Sequence, residues 1–276
     1  GLGDVYKRQL AIYERMTDGI LVVDAAGVVL NANPAARRMF GHVATPLEGA
    51  TFGFPIADRA AVMIELLGPG GQMRTSEMRV SSIDWHGRPA TLLILRDVTE
   101  QAKLLERLHR LANYDRVTGL PNRTLFFEHV EQAIREARRH GHRVGLLFVD
   151  FDDFKRVNDT FGHAAGDDML QRIGARMREA LREGDRVARF AGDEFLVTLT
   201  QVEHTREASV VAGKLLTVLA EPFDVGGTPI VMAASIGVAF FPDDATDAAS
   251  LLHRADGAMY RAKRAGGRTF HRHEGT

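Results

Sequence analysis

In the first part of the chain, apolar residues come in short bursts. Ile20-Leu-Val-Val-Asp24 is rich in β-branched residues and predicts a strand, Ala25-Ala26-Gly27 a turn and Val28-Val-Leu30 a second strand, together a hairpin. Asn33-Pro34 then opens a short helix, with Pro near its first position and Ala35, Ala36, Met39 and Phe40 behind it. Met78 to Val80 and Thr91 to Leu95 predict later strands, separated by the turn-like Trp85-His86-Gly87-Arg88-Pro89. From Thr99 the period changes. Leu104, Leu108 and Leu111 are spaced by four and three, Asp97 and Glu100 suit a helix N-terminus, and a helix is expected to Asn113. It is too short to make a coiled coil alone. It either lies on a neighbouring domain or forms a dimer stalk between two domains.

From Tyr114 onward helices and strands alternate. Phe126 to Arg139 predicts a helix and Val144 to Val149 a buried strand. Asp167 to Arg182 is amphipathic, with Leu170, Ile173, Met177 and Leu181 on one face. Arg186 to Phe190 and Glu194 to Thr200 predict two strands around Ala191-Gly192-Asp193, with Gly where a tight hairpin needs it. A helix from Thr205 to Leu219, a strand from Ile230 to Phe240 and a helix from Asp247 to Ala265 complete the order. This pattern predicts an α/β (α+β) sandwich with a largely antiparallel sheet covered by helices.

Composition narrows the function classes. The 276 residues are 45% hydrophobic and 26% charged, as in ordinary globular proteins, and are enough for two domains. Net charge is -1, with 13 Lys+Arg against 12 Asp+Glu up to residue 112 and 22 against 24 beyond it. Such a balance offers no basic face for a nucleic-acid polymer. The chain has no cysteine, which removes disulfides, thiolate metal sites and cysteine nucleophiles and suits a cytoplasmic setting. No apolar run approaches the roughly 20 residues that span a bilayer. Gly1 to Gln9 has no clear periodicity and reads as a scar outside the fold, which leaves room for an upstream membrane or sensor segment in the parent protein.

Candidate chemistry gathers after Val149. Asp150, Asp152, Asp153, Asp159, Asp167 and Asp168 place six carboxylates in nineteen residues. Beside an apolar strand they would repel one another unless a cation or solvent screened them, and such an oxygen-rich cluster suits Mg²⁺. Asp150, at the strand exit, is the favoured ligand; Asp167 could serve as a helix N-cap, and Asp153 and Asp168 as a solvated surface. The hairpin tip projects Asp193 and Glu194, and Gly192 lets a phosphate approach the backbone. If the hairpin lies beside the Asp150 strand, two carboxylates converge on one ion.

Two resemblances add to this reading. Residues 10–98, with "DGILVVDAAGVVLNANPAARRMFG" at the front and "LLILRDVTEQ" at the exit, resemble a PAS-type sensor domain. Residues 99–113 would be a signalling helix, and 114–276 resemble a GGDEF catalytic domain. Four blocks carry the second likeness: Asp115-Arg-Val-Thr-Gly-Leu-Pro-Asn-Arg123; Asp150-Phe-Asp-Asp-Phe-Lys-Arg-Val-Asn-Asp159; Gly162-His163 and Gly166-Asp167 with Ala191-Gly-Asp-Glu-Phe195; and Arg254-Ala-Asp-Gly-Ala-Met-Tyr-Arg-Ala-Lys263.

The resemblance implies a diguanylate cyclase that condenses two GTP into cyclic di-GMP. Asp150 and Asp193 would hold Mg²⁺, or Mn²⁺, with the Phe151 carbonyl, and Glu194 would assist at the metal or in activating the nucleophile. Asn158 and Asp167 would bind the guanine edge. Backbone amides near Phe154 and Lys155, the side chains of Lys155 and Lys263, and the open backbone at Gly192 would hold phosphates. Arg182-Glu-Gly-Asp185 matches the family's inhibitory product site, in which Arg182 and Asp185 bind cyclic di-GMP. Catalysis would need a homodimer, since each domain holds one GTP.

This sequence departs from the pattern twice: Ala191 replaces the signature's first Gly, and Gly267 stands where an Arg is usual, with Arg268 one further on. The competing classes are a catalytically impaired cyclic di-GMP or GTP binding module, and another Mg²⁺-dependent enzyme such as a purine nucleotide cyclase. The ligand of the PAS-like domain is unknown. Cysteinyl-flavin photochemistry is excluded, and His42 and His86, the conceivable haem ligands, read as surface residues.

Overall fold

The computed structural model describes residues 2–41, 46–54 and 61–274. The chain splits into two compact units, residues 1–108 and 109–276.

The first unit contains α1 (Leu2–Arg15), β1 (Gly19–Val23), β2 (Val29–Ala32), α2 (Pro34–Met39), β3 (Val62–Leu67), β4 (Met73–Trp85) and β5 (Arg88–Asp97). Its strands form one sheet in the order β2-β1-β5-β4-β3, and every neighbouring pair is antiparallel. Leu21, Val23, Ile64, Leu66, Met78, Leu93 and Leu95 pack with Met39 of α2 into its core. Asn33 is wholly buried. Its carboxamide oxygen accepts from Ile20 N at 2.9 Å and Ala36 N at 2.8 Å, so one side chain caps α2 and ties it to β1.

Three expectations change here. The sequence places residues 1–9 outside the fold, whereas α1 starts at Leu2. β3 falls where no strand was expected, although Ile64 and Leu66 are buried at the two-residue period of a half-covered strand. The Met78–Val80 strand proves to be the middle of the 13-residue β4. His86 is exposed in the β4–β5 turn, whereas His42 lies outside the described residues.

Helix α3 (Thr99–Asn113) begins on Asp97, whose carboxylate accepts from Thr99 N at 3.0 Å and pairs with Arg74 at 3.1 Å. The helix buries none of its residues, and Leu104, Leu105, Leu108 and Leu111 are each at least 50% exposed.

The second unit runs α4 (Arg123–His140), β6 (Arg143–Asp152), α5 (Phe154–Phe161), α6 (His163–Ala180), β7 (Arg186–Ala191), β8 (Glu194–Val202), α7 (Arg206–Leu219), β9 (Phe223–Val225), β10 (Thr228–Ile230), β11 (Ala233–Phe241), α8 (Ala248–Arg264) and β12 (Phe270–Arg272). Its main sheet has the order β12-β11-β6-β8-β7, with only β12 parallel to its neighbour. Successive residues of β6 feed opposite cores. Leu147, Val149 and Phe151 pack with α6 and α7, and Val144, Leu146 and Phe148 with α4 and α8. Covered on both faces, β6 reads as a continuous apolar run.

Two boundaries matter for the site. β6 continues three residues past Val149, so Asp150 lies within the ladder rather than after it. α6 begins at His163, not Asp167; Asp167 sits in the second turn and is no N-cap. The strand expected from Ile230 to Phe240 is split between β10 and β11.

Candidate active site

Asp150 occupies the central strand, where its register partners are Glu194 on β8 and Ser235 on β11. Only two residues, Gly192 and Asp193, connect β7 to β8, and Gly192 takes a φ of 49°, the left-handed value that a Gly at the first loop position accommodates. The hairpin therefore brings Asp193 and Glu194 to the same strand end as Asp150. The adjacency that spacing left open is present.

Lys263 reaches this cluster from the last turn of α8, and its Nζ stands 2.5 Å from Asp150 Oδ1. Beyond that ammonium, the buried Oδ1 has no hydrogen-bonding partner. Burial pushes the Asp150 carboxyl above its ordinary range. The Lys263 ammonium offsets part of that rise, while Asp193 and Asp152 add to it. Glu194 is raised as well, first by burial and then by Asp150 and Asp193. Burial works against the Lys263 ammonium, but the contact with Asp150 outweighs it and raises its pKa.

Among the described residues no three His, Asp or Glu close around one point as a complete ligand set. The donors nevertheless fit a hard divalent ion. Asp193 raises the pKa of both Asp150 and Glu194, and the buried Asp150 Oδ1 has no neighbour but the Lys263 ammonium. Such ions commonly take one or two protein carboxylates and complete their shell with phosphate oxygens and water.

The rings of Phe151 and Phe154 are buried in the core, so only their backbones can serve the site. Asp153 starts α5 with a φ of 60° and makes no side-chain cap, leaving the first-turn N–H groups near Phe154 and Lys155 untouched by it. Asn158 leans on α6 at Gly166. A Cβ there would come within 1.9 Å of Asn158 Oδ1, so this close approach requires glycine. Asp167 follows Gly166 and is exposed, as is Lys155. Arg268 is exposed and lines a cavity of about 420 Å³ with Asp152, Asp153 and Arg156.

Arg182 and Asp185 lie elsewhere, past the C-terminus of α6. Arg182 Nε is 3.2 Å from Asp185 Oδ1, and its Nη2 donates to Thr200 O at 2.5 Å. The Asp185 carboxylate is 3% exposed and already engaged, whereas the Arg182 side chain is 54% exposed. Both line a cavity of about 180 Å³ with Val210 and Lys214.

Residues 112–269, more than half of the chain, match the family described as "Diguanylate cyclase, GGDEF domain". The chain belongs to the GGDEF family. Residues 8–52 match the PAS fold. The chain is 36% identical over 197 residues to the diguanylate cyclase TpbB of Pseudomonas aeruginosa, covering 70% of this chain and 45% of that protein. It is 40% identical over 159 residues to the cyclic di-GMP phosphodiesterase NbdA of the same organism, covering 58% of this chain and 20% of that one. This chain thus spans less than half of either relative. A solved GGDEF domain of TpbB superposes with a TM-score of 0.57 at 40% identity, covering 58% of this chain and 94% of that one.

The GGDEF unit also contains residues that spacing did not single out. Ser235 Oγ donates to Asp152 Oδ1 at 3.2 Å, and Arg189 joins the hairpin tip to Asp115. Asp115 opens the first recognised block and Arg189 stands two residues before the Ala191 block, but a block does not say which side chains meet across the fold. Among the described residues no helix is long and apolar enough to cross a membrane.

Proposed function

We propose that the GGDEF unit is a diguanylate cyclase that joins two GTP into cyclic di-GMP with release of pyrophosphate. The observation that carries this reading is the meeting of Asp150, Asp193 and Glu194 at one strand end beside Lys263. Asp150, Asp193 and the Phe151 carbonyl would hold Mg²⁺, or Mn²⁺, which when bound neutralises phosphate charge and lowers the pKa of the attacking hydroxyl. The 3′-oxygen of one GTP forms a bond to the α-phosphorus of the other, and the bond to pyrophosphate breaks. Glu194, with its raised pKa, is placed to take the hydroxyl proton. Lys155, Lys263 and the amides at the start of α5 hold the phosphates, and Gly192 keeps the backbone open to them.

One unit binds one GTP, so two copies must face each other. The open leucine face of α3 is the surface we assign to that pairing, with the PAS-type unit as the sensor. The deciding experiment is incubation of the purified protein with Mg²⁺ and GTP, followed by mass identification of the product. Cyclic di-GMP supports the proposal. Binding of cyclic di-GMP or GTP without turnover supports the second reading, a binding module, which the Ala191 methyl beside the signature turn favours.

Base choice follows from Asn158 and Asp167, which offer an acceptor and donors to guanine O6, N1–H and N2–H₂. Adenine would leave the carboxylate without the donors that guanine supplies. Turnover is expected with GTP and little ATP incorporation, and Asp167→Ser should relax that preference. Comparable wild-type rates with both nucleotides would refute the assignment.

Product feedback is assigned to Arg182 and Asp185. The guanidinium is the open half of this site, and a guanine that also engages Asp185 must first separate the ion pair. Progress curves of the wild type should slow as cyclic di-GMP is added, while Arg182→Ala stays active and loses that slowing. Identical responses would reduce Arg182 to a helix-terminal cation.

A further inference from the structure

Asp193 lies in the two-residue loop and Glu194 opens β8, and the β7–β8 register is irregular between Arg189 and Ala191, so the regular ladder does not run unbroken to the tip. Arg189, two residues before the end of β7, bridges this irregular stretch. Its Nε donates to Gly192 O at 2.9 Å, and its Nη1 donates to Asp115 Oδ1 at 2.9 Å. The side chain is 12% exposed and that of Asp115 23%, so the pair is largely sheltered from solvent. Backbone bonds reinforce the join, since Arg189 N donates to Pro121 O at 3.0 Å.

Asp115 is itself held. Burial would raise its carboxyl, but bonds from Thr118 N, Arg189 and Thr118 Oγ1 hold it below the usual range. Its loop returns to the end of α3, where Asn122 N donates to Asn113 O at 2.9 Å and Asn122 Nδ2 to Ala112 O at 2.7 Å. One guanidinium thus links the hairpin tip to the segment in which α3 ends.

We propose that Arg189 is a positioning residue for the catalytic hairpin: its planar fork ties the Gly192 carbonyl to Asp115 and so sets where Asp193 and Glu194 stand relative to Asp150. The catalytic consequence rests on the cyclase reading above; the structural one does not. A lysine carries the charge but cannot span both acceptors with a rigid fork. A displaced hairpin would bind GTP yet misplace the groups that act on it.

The test uses the full chain with Arg189→Met, Arg189→Lys and Asp115→Asn. Steady-state kinetics at varied Mg²⁺ are paired with amide hydrogen exchange across residues 189–195. In Arg189→Met, kcat is expected to fall about 100-fold, the scale of an ångström-level misplacement. KM for GTP should change little, half-saturating Mg²⁺ should rise, and the hairpin amides should exchange faster while the rest of the sheet stays protected. Arg189→Lys should recover little, and Asp115→Asn, which keeps an acceptor, more. Wild-type kcat and hairpin exchange in folded Arg189→Met overturn the proposal. So does a loss that follows the folded fraction with faster exchange throughout the unit, the result of a purely structural role. If the wild type turns over no GTP, the cyclase reading fails, and the exchange at the hairpin alone decides whether Arg189 positions it.

Discussion

Asp193→Ala is expected to reduce GTP turnover by at least about 100-fold, the loss typical when a group stabilising charge in the transition state is removed. Its thermal midpoint should be nearly unchanged. Asp193 is only partly buried at a hairpin tip, and among the described residues it makes no side-chain hydrogen bond or ion pair, so the folded state loses little with it. It nevertheless raises the pKa of both Asp150 and Glu194, which places its charge inside the cluster. Turnover assay and thermal melt on the same sample read the two effects separately. Near wild-type turnover in folded Asp193→Ala protein would remove the proposed metal site.

Asp150→Asn should do two opposite things. Turnover should be lost, because the buried carboxylate proposed as a metal ligand no longer carries charge. The unit should at the same time become more stable at neutral pH, since Asp150 is raised above its ordinary pKa by burial even with Lys263 beside it. The folded state therefore prefers the protonated acid, which asparagine mimics. The stabilisation of Asn over Asp should be complete above the folded pKa and vanish below the unfolded value of about 3.9. Each kcal/mol gained corresponds to about 2–4 °C in the melting of a unit this size. Melting curves of both proteins across pH without divalent ions would show it. A lower midpoint for the variant at neutral pH would mean that Lys263 compensates Asp150 more fully than its surroundings indicate.

What the sequence made legible was mostly local. The apolar run before Asp150 and the Gly192-Asp193 turn could be read because a strand covered on both faces and a tight hairpin each leave a short, contiguous signature. That Asp150 stands opposite Glu194 could not be read, because the pairing spans more than forty residues and two helices and is fixed by how α6 packs on the sheet. The start of α6 was misplaced for a related reason. A carboxylate followed by an apolar stripe is a good helix-start signal, but here Gly162 begins the helix and Gly166 lies within it to admit Asn158. The block that Asp115 opens is visible in the sequence, but its contact with Arg189, just ahead of the Ala191 block, joins residues 74 positions apart and leaves no local signature. β3 leaves little signal in the sequence because four of its six residues are exposed, three of them apolar, so no clean alternation of apolar and polar residues marks it.

The sheet of the GGDEF unit ends on β12, three residues long, which pairs with Ile236, Gly237 and Val238 of β11. β11 is a nine-residue, almost entirely buried apolar strand. Without β12 its outer backbone amides and carbonyls would be left as an open template for another chain to add to. A truncation or proteolytic nick after Arg268 therefore uncovers an adhesive edge, and the expected outcome is aggregation through strand addition rather than simple loss of a tail. Fusions to this unit are best joined beyond Arg272, so that the last short strand stays free to close the sheet.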